Sequence, residues 1–432
     1  MSISSSMNAG VSGLSTNATR LATISDNIAN SGTYGYKRAD VDFSSIVITQ
    51  REGTYSAGGV QVNTFREVDS RGSLVPTQNP TDIAIGGRGM LPVTGIADLD
   101  TPDANYPLLL TSTGSFRPNQ DGYLVTESGL VLMGWPADAD GNIPVQPRDS
   151  GAGLEPVQVN RNQFSASATT EIRLGANLPA SATQAGASGA PLQISTEYFD
   201  NVGASQTLVS TFTPTIPGVG QSNQWTLVIT DEAQGGAVVG EYTIEFDDTA
   251  GNGGEVLSVT PTTGTYDGVT GVATFSVASG PIEMEIGALG SSAVLTQLSA
   301  EFAPAGVTAN GAAVGSLTGV SVDPDGFVIA AYDSGFTRVL YQVPVADVPN
   351  LNGLAAEDSQ AFSISADSGS VFFWDAGDGP TGGMIAFARE ESTADIAAEL
   401  TQLIETQRAY SSNAKIIQTV DEMLQETTNL KR

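Results

Sequence analysis

Helical patterning is confined to the two ends of this chain, and the long interior reads as strand and turn. No other feature limits the possible folds so strongly. An isolated amphipathic helix is marginal in water and needs an apolar partner for its stripe. At the start, Ile3, Met7, Leu14, Leu21 and Ile28 share one stripe, widened by Val11, Ala18 and Ile24. Ser2 or Ser4 offers an N-cap, and Asn27, Asn30 and Gly32 mark the stop. Gly10 and Gly13 weaken this helix intrinsically. At the other end, Ile396, Leu400, Leu403, Gln407, Tyr410, Ala414, Ile417, Asp421 and Leu424 alternate at heptad spacing, with Gln407 and Asp421 as polar interruptions. Two readings are open. The second helix packs on a domain, or it pairs with the first as a coiled coil.

Between the ends, runs at 82–85, 123–125, 130–133, 192–198, 225–230, 242–246, 256–259, 327–332, 339–343 and 371–374 read as strands. Residues 34–77 hold short pieces without a strong core. The 49 glycines in 432 residues, with abundant Ser, Thr and Ala, suit turn-rich β structure. The expected fold is mainly β and multidomain with nested insertions, plus N- and C-terminal α-helices forming a coiled coil. If the two ends meet, β domains are inserted between them and the chain leaves and re-enters each one. A chain of this length suggests two to four domains.

The formal charge of −30 disfavours nucleic acid and anionic lipid as partners, and no Lys or Arg lies between Arg173 and Arg338. There is no cysteine and no histidine. Disulfides, thiolate metal sites and histidine-dependent catalysis are therefore excluded. Asp138-Ala139-Asp140-Gly141-Asn142 and Asp323-Pro324-Asp325-Gly326 look like fragments of calcium loops, but neither has the full spacing and both fit tight turns. Asp247-Asp248 and Glu357-Asp358 are acidic pairs of the kind a glycosidase could use, although solvated turns account for them. Trp225 and Trp374 could line a sugar groove but fit core packing. Gly86-Gly87-Arg88-Gly89 lacks the ending of a phosphate loop. No enzyme activity, cofactor or metal is expected. The N-terminus has no basic cluster before an apolar run and no cleavage site, and no apolar run reaches membrane-spanning length. An exterior location would then require export without a cleaved signal.

At residue 27 the sequence resembles a known family. The run Asn27-Ile28-Ala29-Asn30-Ser31-Gly32-Thr33-Tyr34-Gly35-Tyr36-Lys37-Arg38 is similar to the signature of flagellar rod and hook axial proteins, carried here by Asn27, Ala29, Asn30, Thr33, Gly35, Tyr36 and Lys37. Asn79 to Gly89, Gly114-Ser115-Phe116, Asp121 to Val125, Gly134-Trp135 and Asn177-Leu178 resemble further family segments. So do Glu399-Leu400, Leu403-Ile404, Gln407 to Tyr410, Asn413 to Lys415 and Asp421 to Gln425. The likeness is firm over the first 150 residues and the last 100. One departure is Arg389-Glu390-Glu391-Ser392-Thr393-Ala394-Asp395, where the family has Leu-Glu-x-Ser-Asn-Val-Asp.

The resemblance implies a self-assembling structural subunit of the cell exterior. The large β middle favours a hook member over a rod member, with the hook–filament junction member as the alternative. An acidic surface-layer or adhesin protein is a more distant one. The implied organisation has an inner helical layer of residues 1–30 and 395–432, and a connecting segment of 31–75. A middle β domain would hold 76–150 and 322–394, and an outer β domain 151–321. The helices would build a curved, flexible tube that transmits torque as a universal joint. The implied partners are copies of the chain itself, the distal rod, the hook cap, the junction proteins and the flagellar type III export apparatus. Neither nucleic acid nor membrane insertion is implied.

Overall fold

A computed structural model describes residues 3–46, 58–99, 106–138, 141–160 and 164–429. Helix α1 (Ile3–Ala29) and helix α2 (Ile396–Asn429) stand at the two ends. The described residues between them form strands, short 3-10 turns and loops. The architecture is mainly β, with several separate sheets, as the patterning predicts. Ser2, Ala139 and Asp140, named above as a cap candidate and as part of a calcium-like run, lie outside the described residues, as do the side chains of Ile3 and Ser4.

The chain divides into two compact units. The first holds Met1–Asn160, Val320–Ala330 and Arg338–Arg432, and the second holds Arg161–Gly319 and Ala331–Thr337. The second unit is built on a five-stranded antiparallel meander of Leu192–Phe199, Ser205–Pro214, Gln224–Asp231, Ala237–Phe246 and Val256–Thr263. Alternation places Trp225, Leu227 and Ile229 on one face, with Tyr242, Ile244 and Phe246 beside them. These join one buried cluster with Ile172, Phe275, Ile282 and Met284 of a second sheet, in which Glu171–Arg173 pairs parallel to Gly280–Glu285. Strand Ser205–Pro214, which the sequence reading passed over, supplies Leu208 and Phe212 to the same core.

In the first unit, early and late parts of the chain complete each other's sheets. Asp82–Ile85 lies between Thr113–Ser115 and Met384–Ala386, and Leu74–Pro76 pairs with Ala388–Glu390. Strand Leu130–Pro136 is buried on both faces, which explains its unbroken apolar run. Trp135 meets Phe373 edge to face at 6.4 Å, with Arg148 over its ring at 4.8 Å. Within residues 34–77, strand β1 (Ala39–Ser45) pairs over seven residues with strand β2 (Val60–Arg66), and both lie against α1.

Candidate assembly site at the paired terminal helices

Helices α1 and α2 run antiparallel. Gly10 approaches Ile417, Gly13 approaches Asn413, and Asn27 bonds to Glu399. The α1 side of this seam buries Thr16, Ile24 and Asn27, and the α2 side buries Glu399, Thr406 and Val420. A Cβ on Gly13 would sit 2.8 Å from Asn413 Nδ2, and one on Gly10 would sit 3.1 Å from Ile417 Cγ1. The two glycines that weaken α1 as an isolated helix are thus what lets α2 approach it.

The apolar stripes foreseen from the sequence enter this seam only in part, through Ile24 and Ile417. On α1, Met7 and Val11 are exposed, and Leu14, Leu21 and Ile28 are half-buried. On α2, Ile396, Leu400, Gln407, Tyr410 and Leu424 are exposed, and Leu403, Ala414 and Ile417 are half-buried. Of these, Ile417 reaches Gly10. The α2 seam instead follows Glu399, Thr406, Asn413 and Val420, a heptad set one residue before Leu400, Gln407, Ala414 and Asp421. One residue is roughly 100° around a helix. The helices do pair, with mostly small and polar residues inward beside Ile24 and Val420, and many of the other large apolar residues are left half-buried or exposed. Leu400 and Ile404 are about half exposed, at 47% and 52%.

A buried polar node joins the base of the helix pair to the turn after α1. The Asn27 side chain donates to Ala39 O at 2.8 Å and to Glu399 Oε1 at 3.1 Å, and its Oδ1 accepts from Ala39 N and from the Tyr36 hydroxyl. Arg38 Nε lies 2.7 Å from Glu399 Oε1, and Arg38 also pairs with Asp40 at 2.9 Å. Lys37 Nζ donates to Ser70 O and lies 2.8 Å from Glu390 Oε1, with both side chains almost fully buried. Gly35 makes the turn at φ +74, where L residues are strained, and its amide donates to Glu390 O. Asn30 closes the end of α1 by donating its side-chain amide to Asp26, and Thr33 donates to Asn30 Oδ1. Ala29 is exposed at the end of the helix. Thr393, in the segment that departs from the family pattern, donates its amide to Tyr36 O and accepts the Arg38 amide. Asp395 accepts the Ala397 and Ala398 amides, so it is a working N-cap for α2.

The electrostatics follow from burial and pairing. Burial pushes the Tyr36 hydroxyl up to about 12, helped by its bond to Asp26 and opposed by Arg66. Burial pulls Lys37 down, and the charge of Glu390 partly offsets that. Burial alone would raise Glu390, but the Lys37 charge and hydrogen bonds from Lys37 and the Gly72 amide hold it below its ordinary value. Burial also opposes the charge of Arg38, yet hydrogen bonds to Asp40 and Glu399 raise it above the usual arginine range.

Glu390 and Glu399 are central to this node, and the sequence reading gave neither a role. Glu399 lies in a segment that resembles the family, and Glu390 in the one that departs from it. The available signal was indirect: Gly10 and Gly13 on one helix, and a small or polar heptad through Thr406 and Asn413 on the other.

The arrangement binds and positions helices. Among the described residues no group of three or more acidic side chains is placed to hold a metal, and no helix is long and apolar enough to cross a membrane. The two terminal helices pair and leave large apolar residues of both exposed to water. Residues 7–37 match the family described as flagella basal body rod protein, and residues 386–430 match the flagellar basal body rod FlgEFG protein C-terminal family. Over the full length of both chains, the sequence is 35% identical to the flagellar hook protein FlgE of Brucella suis and 34% identical to that of Rhizobium meliloti. It is 28% identical to the Salmonella typhimurium hook protein over 99% of this chain and all of that one. The chain belongs to the flagellar hook protein family and has the structural role of that family.

Proposed function

We propose that this chain polymerises into the tube of a flagellar hook and serves there as a flexible universal joint between motor and filament. The observation that carries the reading is the exposed apolar face left beside the small-residue seam, including Met7, Val11, Ile396, Leu400, Ile404 and Tyr410. Covering it with the helices of other copies removes apolar area from water and offsets the entropy of ordering them. A helical tube needs heterologous contacts that do not close on themselves. Residues 1–30 and 395–432 form the inner layer, where copies meet as a coiled coil. Residues 31–75 link it to a middle β domain of 76–150 and 322–394, and residues 151–321 form the outer domain. The family motif from Asn27 to Lys37 holds the inner layer to the link. The subunit reaches the cell exterior through the type III export apparatus, and adjoins the distal rod, the hook cap and the junction proteins.

Electron microscopy of the purified chain, concentrated with a precipitating salt, tests this beside a version lacking residues 396–432. Long hollow tubes from the full chain and none from the truncation are expected. Closed short rings or monomers from a folded full chain would overturn the hook reading in favour of a junction role.

A further inference from the structure

The apolar stripes of the two helices are complementary in sequence, yet Met7, Ile396, Leu400 and Tyr410 stay exposed. In antiparallel register, Met7, Leu14, Leu21 and Ile28 could face Ile417, Tyr410, Leu403 and Ile396. Hydrophobic burial alone would favour that pairing. The structure instead turns a face of Glu399, Thr406 and Asn413 toward α1. A cause is visible at one end. Glu399 has 0% exposure, and its Oε1 accepts from Arg38 Nε at 2.7 Å and from Asn27 Nδ2 at 3.1 Å. Its other oxygen, Oε2, is buried without a hydrogen-bond partner. A half-satisfied buried carboxylate is a poor choice for stability alone, because an apolar residue would carry no such penalty. Buried polar residues in helix pairs are best attested as devices that select one pairing over another.

We infer that Glu399 sets the rotational phase of α2, deciding which of its two faces meets α1. Rotating α2 by one residue step would carry the carboxylate out of the node and leave Arg38 and the buried Asn27 without it. Hydrogen bonds to a charged group resist this by on the order of tenfold or more each. The phase so fixed keeps Leu400 and Ile404 outward. That consequence for assembly rests on the tube-forming reading above, but the phase itself does not.

Disulfide trapping in the full-length chain tests the inference, since the protein has no cysteine of its own. One double variant, Gly13→Cys with Asn413→Cys, reports the observed phase. A second, Gly13→Cys with Ala414→Cys, reports α2 turned by one residue step. With Glu399 present, the first pair should oxidise at least tenfold faster. With Glu399→Leu the preference should reverse, and with Glu399→Gln, which can still accept from Arg38 and Asn27, the original preference should return. If the first pair still dominates in the Glu399→Leu background, the glycine seam sets the phase and the inference fails. If both pairs oxidise equally in every background, the helices hold no fixed phase and it fails as well. Trapping is read on monomers at low concentration, so a failure to form tubes would count against the assembly reading and leave this result standing.

Discussion

The core of the second unit and the seam between α1 and α2 are both built on buried residues, by opposite means. The core interlocks Phe212, Trp225, Tyr242, Phe246 and Ile282, so burial of large apolar side chains holds it. The seam brings together Gly10, Gly13, Thr16, Thr406 and Asn413, fastened at its base by hydrogen bonds and ion pairs. The core has one arrangement to satisfy. The helices, on the assembly reading, have two sets of neighbours, and large apolar residues consumed within the chain would be lost to the second set. The difference teaches that hydrophobic periodicity identifies an element that will be buried without saying against what.

The comparison breaks most sharply if charge is removed at the base of the seam. Lys37→Ala takes away the closest charge partner of buried Glu390, leaving Arg71 at 4.0 Å, and should lower the stability of the first unit by about 3–5 kcal/mol. Urea unfolding of that unit is followed through Trp135 and Trp374, while Trp225 reports the second unit and should not shift. The same pair gives the comparison a pH dependence. Because Glu390 is held below its ordinary value, the unfolded chain takes up this proton first as pH falls. Its contribution is complete above the ordinary carboxylate range and is lost as pH drops through the depressed folded value. Glu390→Gln should remove that part of the acid decline in a pH series of urea midpoints.

Leu227→Ala, in the apolar core, should cost about 2–5 kcal/mol in the second unit and leave the first untouched. A loss below 1 kcal/mol would mean that this core does not depend on tight packing. Gly13→Leu should cost roughly 1–3 kcal/mol by overpacking the close approach to Asn413, read as faster proteolysis of α2. The smallest effect on the monomer belongs to Leu400→Ser, within about 0.5 kcal/mol because the side chain is half exposed, while tube formation should fall strongly. Unchanged polymerisation of that variant would count against the apolar face as the assembly surface.

Much of the β interior was legible because alternation reports one-sided burial directly. The runs 192–198, 225–230 and 242–246 read as strands for that reason, and Trp225 as a core residue. Ser205–Pro214 was missed because its Ser and Thr residues hide the alternation of Leu208 and Phe212. The helices were legible as helices, and their meeting was foreseen. The contact face was legible only in part, through Ile24 and Ile417. It depends on Gly13 opposite Asn413, a pairing across 400 residues of chain that no local pattern encodes. The motif from Asn27 to Lys37 was recognised as a signature, but its physical basis appeared only when Glu390 and Glu399 came to it from the far end.

By itself, the sequence determined that this chain has two terminal helices, a β interior and no chemistry based on histidine or cysteine. Those properties follow from residue type and local period, which act over a few residues. Only the tertiary structure decided which helix faces touch and which charges are buried. Burial of Lys37 or Glu399 is tolerable only where a partner from a distant part of the chain is already in place.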